Sequence, residues 1–271
     1  LLAFAAATPA AAWHQAGHIV VAQIAHDRLT PETRAEADRL IGVLADFAPV
    51  RADFVSASVW LDEIKEEGWN AFDTWHFVNL PYNAGGLRSI PTGPDESALE
   101  ALDHAVATLR DGRAGDLARA FSLRVVIHVV ADLHQPMHCV NRFTHEHPEG
   151  DRGGNDFLLG DTNLHLYWDE AGGLLGELDA SSPSTEVAAA VAGLLDAVPE
   201  EALTTVDDLD SASWAREGHG LAVSVAYVGL VEGREPSESY RIRTQLVTQR
   251  RLVTAGYRLA ALLEKALAPA P

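Results

Sequence analysis

The stretch RVVIHVVADLHQPMHCVN, residues 124–141, places His128, Asp132, His134 and His138 within eleven residues of an otherwise apolar run. On an α-helix residues four apart share a face, so His128 and Asp132 point the same way. Pro136 lacks a backbone donor and ends the helix nearby; the chain can then turn and swing His138 back to the same side. Imidazole nitrogen and carboxylate oxygen together form a ligand set for zinc-type metals. A single His on such a face reads as an ordinary satisfied core residue. The whole H-x-x-x-D-x-H-x-x-x-H series does not, because each polar group left unpaired in apolar surroundings costs about 1–3 kcal/mol. A bound cation is the simplest partner for them.

The rest of the composition favours the same chemistry. Twelve His stand against one Met and one Cys, a balance suited to nitrogen and oxygen ligation rather than thiolate sites. Cys139 is alone, so no intramolecular disulfide can form, and it reads as a small buried filler beside His138 rather than a nucleophile. With 47% hydrophobic and 22% charged residues the chain has the make-up of an ordinary globular protein. A net charge of −19 argues against a protein that grips polyanions with a basic surface. Any attraction for nucleic acid must be local, as divalent cations held in one place would make it.

The first twelve residues, LLAFAAATPAAA, look like the tail of a secretory segment closing on an A-x-A cleavage site. They are too short to span a membrane. The expectation is an exported protein, periplasmic or secreted. Residues 1–12 are then a signal-peptide remnant cleaved before Trp13, and residues 13–271 form a single domain.

Helical spacing of apolar residues runs through 13–29, with Ile19, Val20, Ile24 and Leu29 facing inward. Thr30 as N-cap and Pro31 at the first helical position open a second helix that reaches about Leu44. A third is expected from Asp53 to residue 67, carrying Asp62 and Lys65, and TWHFVNLPYN reads as an extended piece. Pro94 is expected to start a helix ending near Gly112, followed by a long one from about Asp116 to His134. Residues 139–161 suggest a long excursion with a hairpin at FLLG, before a second H-x-x-x-D pair, His165 and Asp169. Helices are expected at 184–196, 208–230 and 237–267, where Leu246, Leu252, Tyr257, Leu259 and Leu263 make a broad apolar face. The fold class is all-α: one mostly helical domain with a short β-hairpin.

Trp13-x4-His18, V-W-L-Asp62-x-x-Lys65, W-His76-F-V-N-L-P, His128-x3-Asp132-x-H-Q-P-x-His138, R-G-G-N-D and T-N-L-His165-x3-Asp169 occur in this order. Together they resemble one family: the zinc-dependent, single-strand-specific nucleases of fungi, plants and bacteria, also called 3′-nucleotidases. These belong to the phospholipase C/nuclease superfamily. The likeness runs from Trp13 to Asp169 and continues more loosely through W-A-R-E at 214–217.

The resemblance implies three zinc ions. One would be held by the amine and carbonyl of an N-terminal Trp13, with His18 and Asp132. A second would take Asp62, His76, His128 and a shared oxygen of Asp132. A third would take His138, His165 and Asp169. Phe77 matches an aromatic that stacks on a nucleobase, and Asn79 stands where some members carry an Asp that reads the base edge. Lys65 and Asn155 match polar positions near the phosphate, and Asp62 doubles as the group that orients the attacking water. The implied reaction is hydrolysis of single-stranded DNA or RNA to 5′-phosphorylated products, with 3′-nucleotides as further substrates and no obligate protein partner. His134 is expected to support a ligand from behind or to be structural, rather than to be a ligand itself; His145 and His147 are expected near the site rim.

The competing enzyme is a zinc-dependent phospholipase C, which uses a similar tri-zinc site. Its longer gap between the N-terminal Trp and the next His, and its final Glu, differ from Trp13-x4-His18 and Asp169. A non-catalytic zinc-binding protein would have no need of Lys65, Phe77 and Asn155.

Overall fold

The computed structural model describes residues 13–45, 51–91 and 97–268. Two helices without a polar face set its plan: α1 (Gln15–Arg28) and α5 (Asp116–Asp132). Helices apolar nearly all round belong at a centre, and α5 is buried at every residue from Ser122 to Asp132. Around them lie α2 (Pro31–Val43) and α4 (Ala98–Arg110), both packed on α5, and α9 (Glu238–Leu267), packed along α1. The α1–α9 approach is close. A Cβ on Gly256 of α9 would lie 2.5 Å from Ile24 Cγ2, so only glycine fits the crossing. Ile19, Val20, Ile24 and Leu29 all face the interior, as their spacing predicts.

Local signals account for the helix ends. Thr30 caps α2 ahead of Pro31, and Ser97 with Glu100 forms a capping box on α4. The expected start at Pro94 lies outside the described residues. The remaining helices are α3 (Trp60–Glu66), α6 (Leu164–Asp169), α7 (Ser184–Ala197) and α8 (Ser211–Leu221).

Two small sheets complete the fold among the described residues. β1 (Pro81–Asn83) pairs in parallel with β2 (Asn141–Phe143), and β3 (Leu158–Leu159) pairs antiparallel with β4 (Thr162–Asn163). The second pair is the hairpin expected at FLLG. The first was not expected, because three-residue strands carry no alternation to read. It lays the chain after His76 beside the chain after His138, with Val78 donating to the His138 carbonyl at 2.7 Å.

Several expectations need correction. Asp53 caps a 3₁₀ turn at Ser56–Val59, and α-helix begins only at Trp60. Thr74, Trp75 and His76 are not extended but end a 3₁₀ helix, Asn70–His76; the chain opens out at Phe77. The long central helix stops at Asp132, two residues before His134. The single helix expected over 208–230 is α8 followed by a π-helical turn, Ala222–Ala226. On α9, Leu252, Leu259 and Leu263 are buried, but Leu246 is 62% exposed, because it lies on the face opposite the buried Tyr240, Thr244 and Thr248. Among the described residues no helix is long and apolar enough to cross a membrane.

Candidate metal centre

The bottom of α5 is where four separate segments meet. α1 brings His18, α3 brings Asp62, the 3₁₀ helix after it brings His76, and α5 itself brings His128 and Asp132. Asp132 sits among three imidazoles: its Oδ1 is 3.3 Å from His18 Nε2, and its Oδ2 is 3.2 Å from both His76 Nδ1 and His128 Nε2. Asp62 faces the same rings, 3.4 Å from His76 Nδ1, 3.7 Å from His128 Nε2 and 3.9 Å from His18 Nε2. The rings of His18 and His128 stack with centroids 4.0 Å apart.

A second cluster adjoins the first. Pro136–Cys139 turns back as expected and sets His138 Nε2 3.6 Å from Asp169 Oδ1, while His165 Nε2 lies 3.5 Å from Asp169 Oδ2. His138 Nδ1 is 3.8 Å from Asp132 Oδ1, so the two clusters nearly touch.

Backbone carbonyls fix which ring nitrogen faces inward. His128 Nδ1 donates to the Ser58 carbonyl at 2.7 Å, and His165 Nδ1 to the Gly153 carbonyl at 2.8 Å, which turns each Nε2 inward. His138 Nδ1 donates to the His76 carbonyl at 2.6 Å. Metal-ligating imidazoles are oriented in this way. Gln135 adds an amide N–H to Asp169 Oδ1 at 2.5 Å.

The electrostatics follow from two carboxylates among several rings. Burial opposes charge on His128, but Asp132 and Asp62 prevail and push its pKa up to about 9. Burial would raise Asp132; the His128 charge and the approach of His128, His18 and His76 hold it well below the usual carboxylate range. Burial lowers His18, helped by the neighbouring His128 charge, and burial also lowers His165.

Three groups could hold cations: His18, Asp62 and His128; His76, His128 and Asp132; and His138, His165 and Asp169. Their side chains fit that role. Both ring nitrogens of His18, both carboxylate oxygens of Asp132, Asp62 Oδ1, His76 Nε2, His138 Nε2 and Asp169 Oδ2 are buried without a hydrogen-bond partner. The imidazole–carboxylate approaches lie at ion-pair distance without hydrogen-bond alignment. Orphaned acceptors in this number point to a cation.

The other expected residues lie within a few positions of a His or Asp of these groups, or of a carbonyl that orients one. Trp13 is fully buried, its indole donating to the Ala131 carbonyl at 3.0 Å, and the next N–H, of His14, donates to the Asp169 carbonyl at 3.0 Å. Lys65 ends α3 near enough for its charge to bear on His165. Phe77 and Asn79 are half-buried on the segment between His76 and β1. Asn155 spends one amide N–H on the Arg152 carbonyl at 2.8 Å, within its own turn.

His134 belongs to none of the three groups. Its Nδ1 donates to the Val130 carbonyl, and its Nε2 accepts from Arg258 at 2.9 Å. Glu217, of the W-A-R-E segment, binds both Arg251 and Arg258, and Arg251 donates to the carbonyls of His134 and Leu133. The end of α5 is thereby held from α8 and α9. Sequence reasoning left Ser58, Gln135, Gly153, Arg251 and Arg258 without a role. Three act through backbone or amide groups with no pattern, and two look like surface arginines on a charged helix.

Fold and site together define a helical metallohydrolase. The chain belongs to the S1/P1 nuclease family, whose pattern it matches over residues 13–268. It is similar to Nuclease S1 of Aspergillus oryzae, with 26% identity over 294 residues covering 97% of this chain and 96% of that protein. Endonuclease 4 of Arabidopsis thaliana is 24% identical, covering 96% and 90% respectively, and Endonuclease 1 of the same plant is 25% identical, covering 93% and 86%. The chain is accordingly a nuclease, a hydrolase of phosphodiester bonds that takes nucleic acid as substrate.

Proposed function

We propose that this nuclease is an exported, single-strand-specific enzyme that holds three zinc ions, releases 5′-phosphorylated products and also hydrolyses 3′-nucleotides. The observation that carries the reading is the set of buried, unpartnered His and Asp atoms in three adjoining groups. On this reading Trp13, His18 and Asp132 hold one ion, Asp62, His76, His128 and Asp132 a second, and His138, His165 and Asp169 a third. The 3.3 Å approach of His18 to Asp132, closer than its 3.9 Å to Asp62, supports pairing His18 with Asp132.

When bound, such ions supply an acidified water and positive charge beside the phosphoryl oxygens. Asp62, with a buried and unpartnered Oδ1, accepts a hydrogen bond from the attacking water and orients it. Lys65 and the free N–H of Asn155 offset charge on the non-bridging oxygens. Phe77 stacks a base, and Asn79 beside it offers both a donor and an acceptor to the base edge. Stacking needs an unstacked base and tolerates any sequence, which favours single strands. The chain's −19 charge gives it no general hold on duplex DNA.

Trp13 and His14 are tied to the backbones of Ala131, next to Asp132, and of Asp169. This supports a mature chain that begins at Trp13 after export, its amine free to serve as a ligand. N-terminal sequencing of the exported protein combined with zinc counting tests that point. The function itself is tested by metal analysis with matched single- and double-stranded DNA. About three zinc ions and preferential cleavage of the single strand are expected; fewer than two ions, or equal cleavage of both, would overturn it.

A further inference from the structure

Two hydrogen-bonded chains lead from outside the metal centre to the His138, His165 and Asp169 group. Both are anchored at, or directly after, the π-helical turn Ala222–Ala226 that follows α8. Single π turns sacrifice regular helical hydrogen bonds and recur at functional sites.

The first chain starts at Tyr227, directly after the π turn, whose hydroxyl donates to Asp151 Oδ2 at 2.7 Å. Asp151 is fully buried and, among the described residues, in no salt bridge; its Oδ1 accepts from the N–H groups of Arg142 and Gly154, each at 3.1 Å. The carboxylate closes a tight turn in which Arg152, Gly153 and Gly154 all take positive φ (53°, 64° and 84°). That backbone aims the Gly153 carbonyl at His165 Nδ1, 2.8 Å away. A Cβ at Gly153 would lie 2.5 Å from the Met137 carbonyl oxygen, so the turn has one position to occupy.

The second chain starts at Trp168, the neighbour of Asp169. Its indole donates to the Tyr240 hydroxyl at 2.9 Å, which donates to the carbonyl of Ala226, the last residue of the π turn, at 2.6 Å. Ligand and ligand-neighbour are thus referred to one frame. The Arg142 guanidinium stacks over the Tyr227 ring at 5.2 Å and packs that frame further.

We infer that Tyr227 is a positioning residue for the cation held by His138, His165 and Asp169, acting through Asp151 and the Gly153 carbonyl. The inference rests on the third ion of the proposed function. The groups around Asp132 share none of these hydrogen bonds, since His128 is oriented by Ser58 instead. Removing the Tyr227 hydroxyl therefore loosens one ion and spares the others. A residue that merely anchors the fold would loosen all of them together.

The test is a chelator titration of the zinc-loaded full chain, with the zinc released counted at each step. Loss of an outer-shell partner typically weakens a site about 10-fold or more. Tyr227→Phe is expected to release one ion at a correspondingly lower chelator concentration, with the rest unmoved. The double variant with His165→Ala should lose no more zinc than His165→Ala alone. Asp151→Ala should reproduce the loss, while Asp151→Asn, which can still accept from Gly154 and can donate its amide N–H to the Tyr227 oxygen, should retain the ion. Equal loosening of every ion, no loosening of any, or an Asn variant as weak as the Ala one overturns the inference. If the wild type holds no ion that His165→Ala removes, the third-ion reading falls with it. If it holds one that Tyr227→Phe leaves equally tight, the positioning role alone is lost.

Discussion

The two His-x3-Asp pairs, His128/Asp132 and His165/Asp169, share a spacing and little else. The first ends a seventeen-residue helix that is buried on every side from Ser122 onward. The second occupies a helix of six residues, shorter than two turns, which could not hold its shape alone. Burial places the first pair, with one hydrogen bond, from His128 to the Ser58 carbonyl, setting a ring: Asp132 is surrounded because helices surround α5. Hydrogen bonds orient the second, through Asn163 capping α6 at Leu166, the Gly153 carbonyl on His165 and the Trp168–Tyr240 link. Their electrostatics differ too. Two carboxylates face His128 and raise it, whereas burial prevails at His165 and lowers it. One spacing thus serves in two ways, as a hub fixed by packing and as a satellite fixed by a frame.

The largest test of that contrast is removal of the carboxylates. Asp132→Ala is expected to abolish hydrolysis and strip more than one ion; metal charge stabilisation is worth several kcal/mol, hence a rate loss on the order of 10³-fold or more. Asp169→Ala should cost one ion only. Zinc counting beside a single-stranded DNA assay separates the two, and equal losses would erase the distinction between hub and satellite.

Next comes the support beneath the hub. Glu217 is the shared partner of Arg251 and Arg258, both buried under the end of α5. Glu217→Ala leaves two buried cations uncompensated and is expected to cost about 3–5 kcal/mol of stability, read by denaturant unfolding. A cost under about 1 kcal/mol would mean that packing alone holds α5.

The protonation contrast gives a smaller, graded effect. In the metal-free protein His128 should remain charged at pH 7.5 and lose its proton near pH 9, while His165 is already neutral. A ligand must be neutral, so binding at His128 releases a proton below pH 9, and its affinity falls about tenfold per pH unit on acidification. Imidazole NMR titration of the metal-free protein checks both residues, and His128 neutral at pH 7.5 would refute the account. Smallest of all is Cys139. Its buried thiol is pushed up to about 12, mainly by burial, so iodoacetamide at pH 8 should not label the folded chain. Rapid labelling would show that the wall beside His138 opens.

Much of this was legible before any fold was known. The apolar run with His128 and Asp132 marked a buried helix with ligands on one side, and Pro136 marked where it gives way to the turn carrying His138. The long helices α1 and α9 were readable from apolar spacing, which accumulates over many residues, and α2 from its Thr30–Pro31 start. The short pieces were not. A 3₁₀ helix ending at His76, a parallel pair of three-residue strands and a π turn at 222–226 leave no periodic trace. Tertiary contacts decide them, and the metal centre uses all but the last directly.

Residue chemistry alone marks which side chains could serve as ligands, and local helix geometry makes His128 and Asp132 share a face. Neither could decide that His18, Asp62 and His76 converge on Asp132, nor which nitrogen each ring turns inward. Those depend on carbonyls of Ser58, His76 and Gly153, groups that every residue possesses and that only the folded chain places. The support at Glu217, Arg251 and Arg258 is the same case. Charged residues far apart in the chain read as surface until packing of α8 and α9 against α5 buries them.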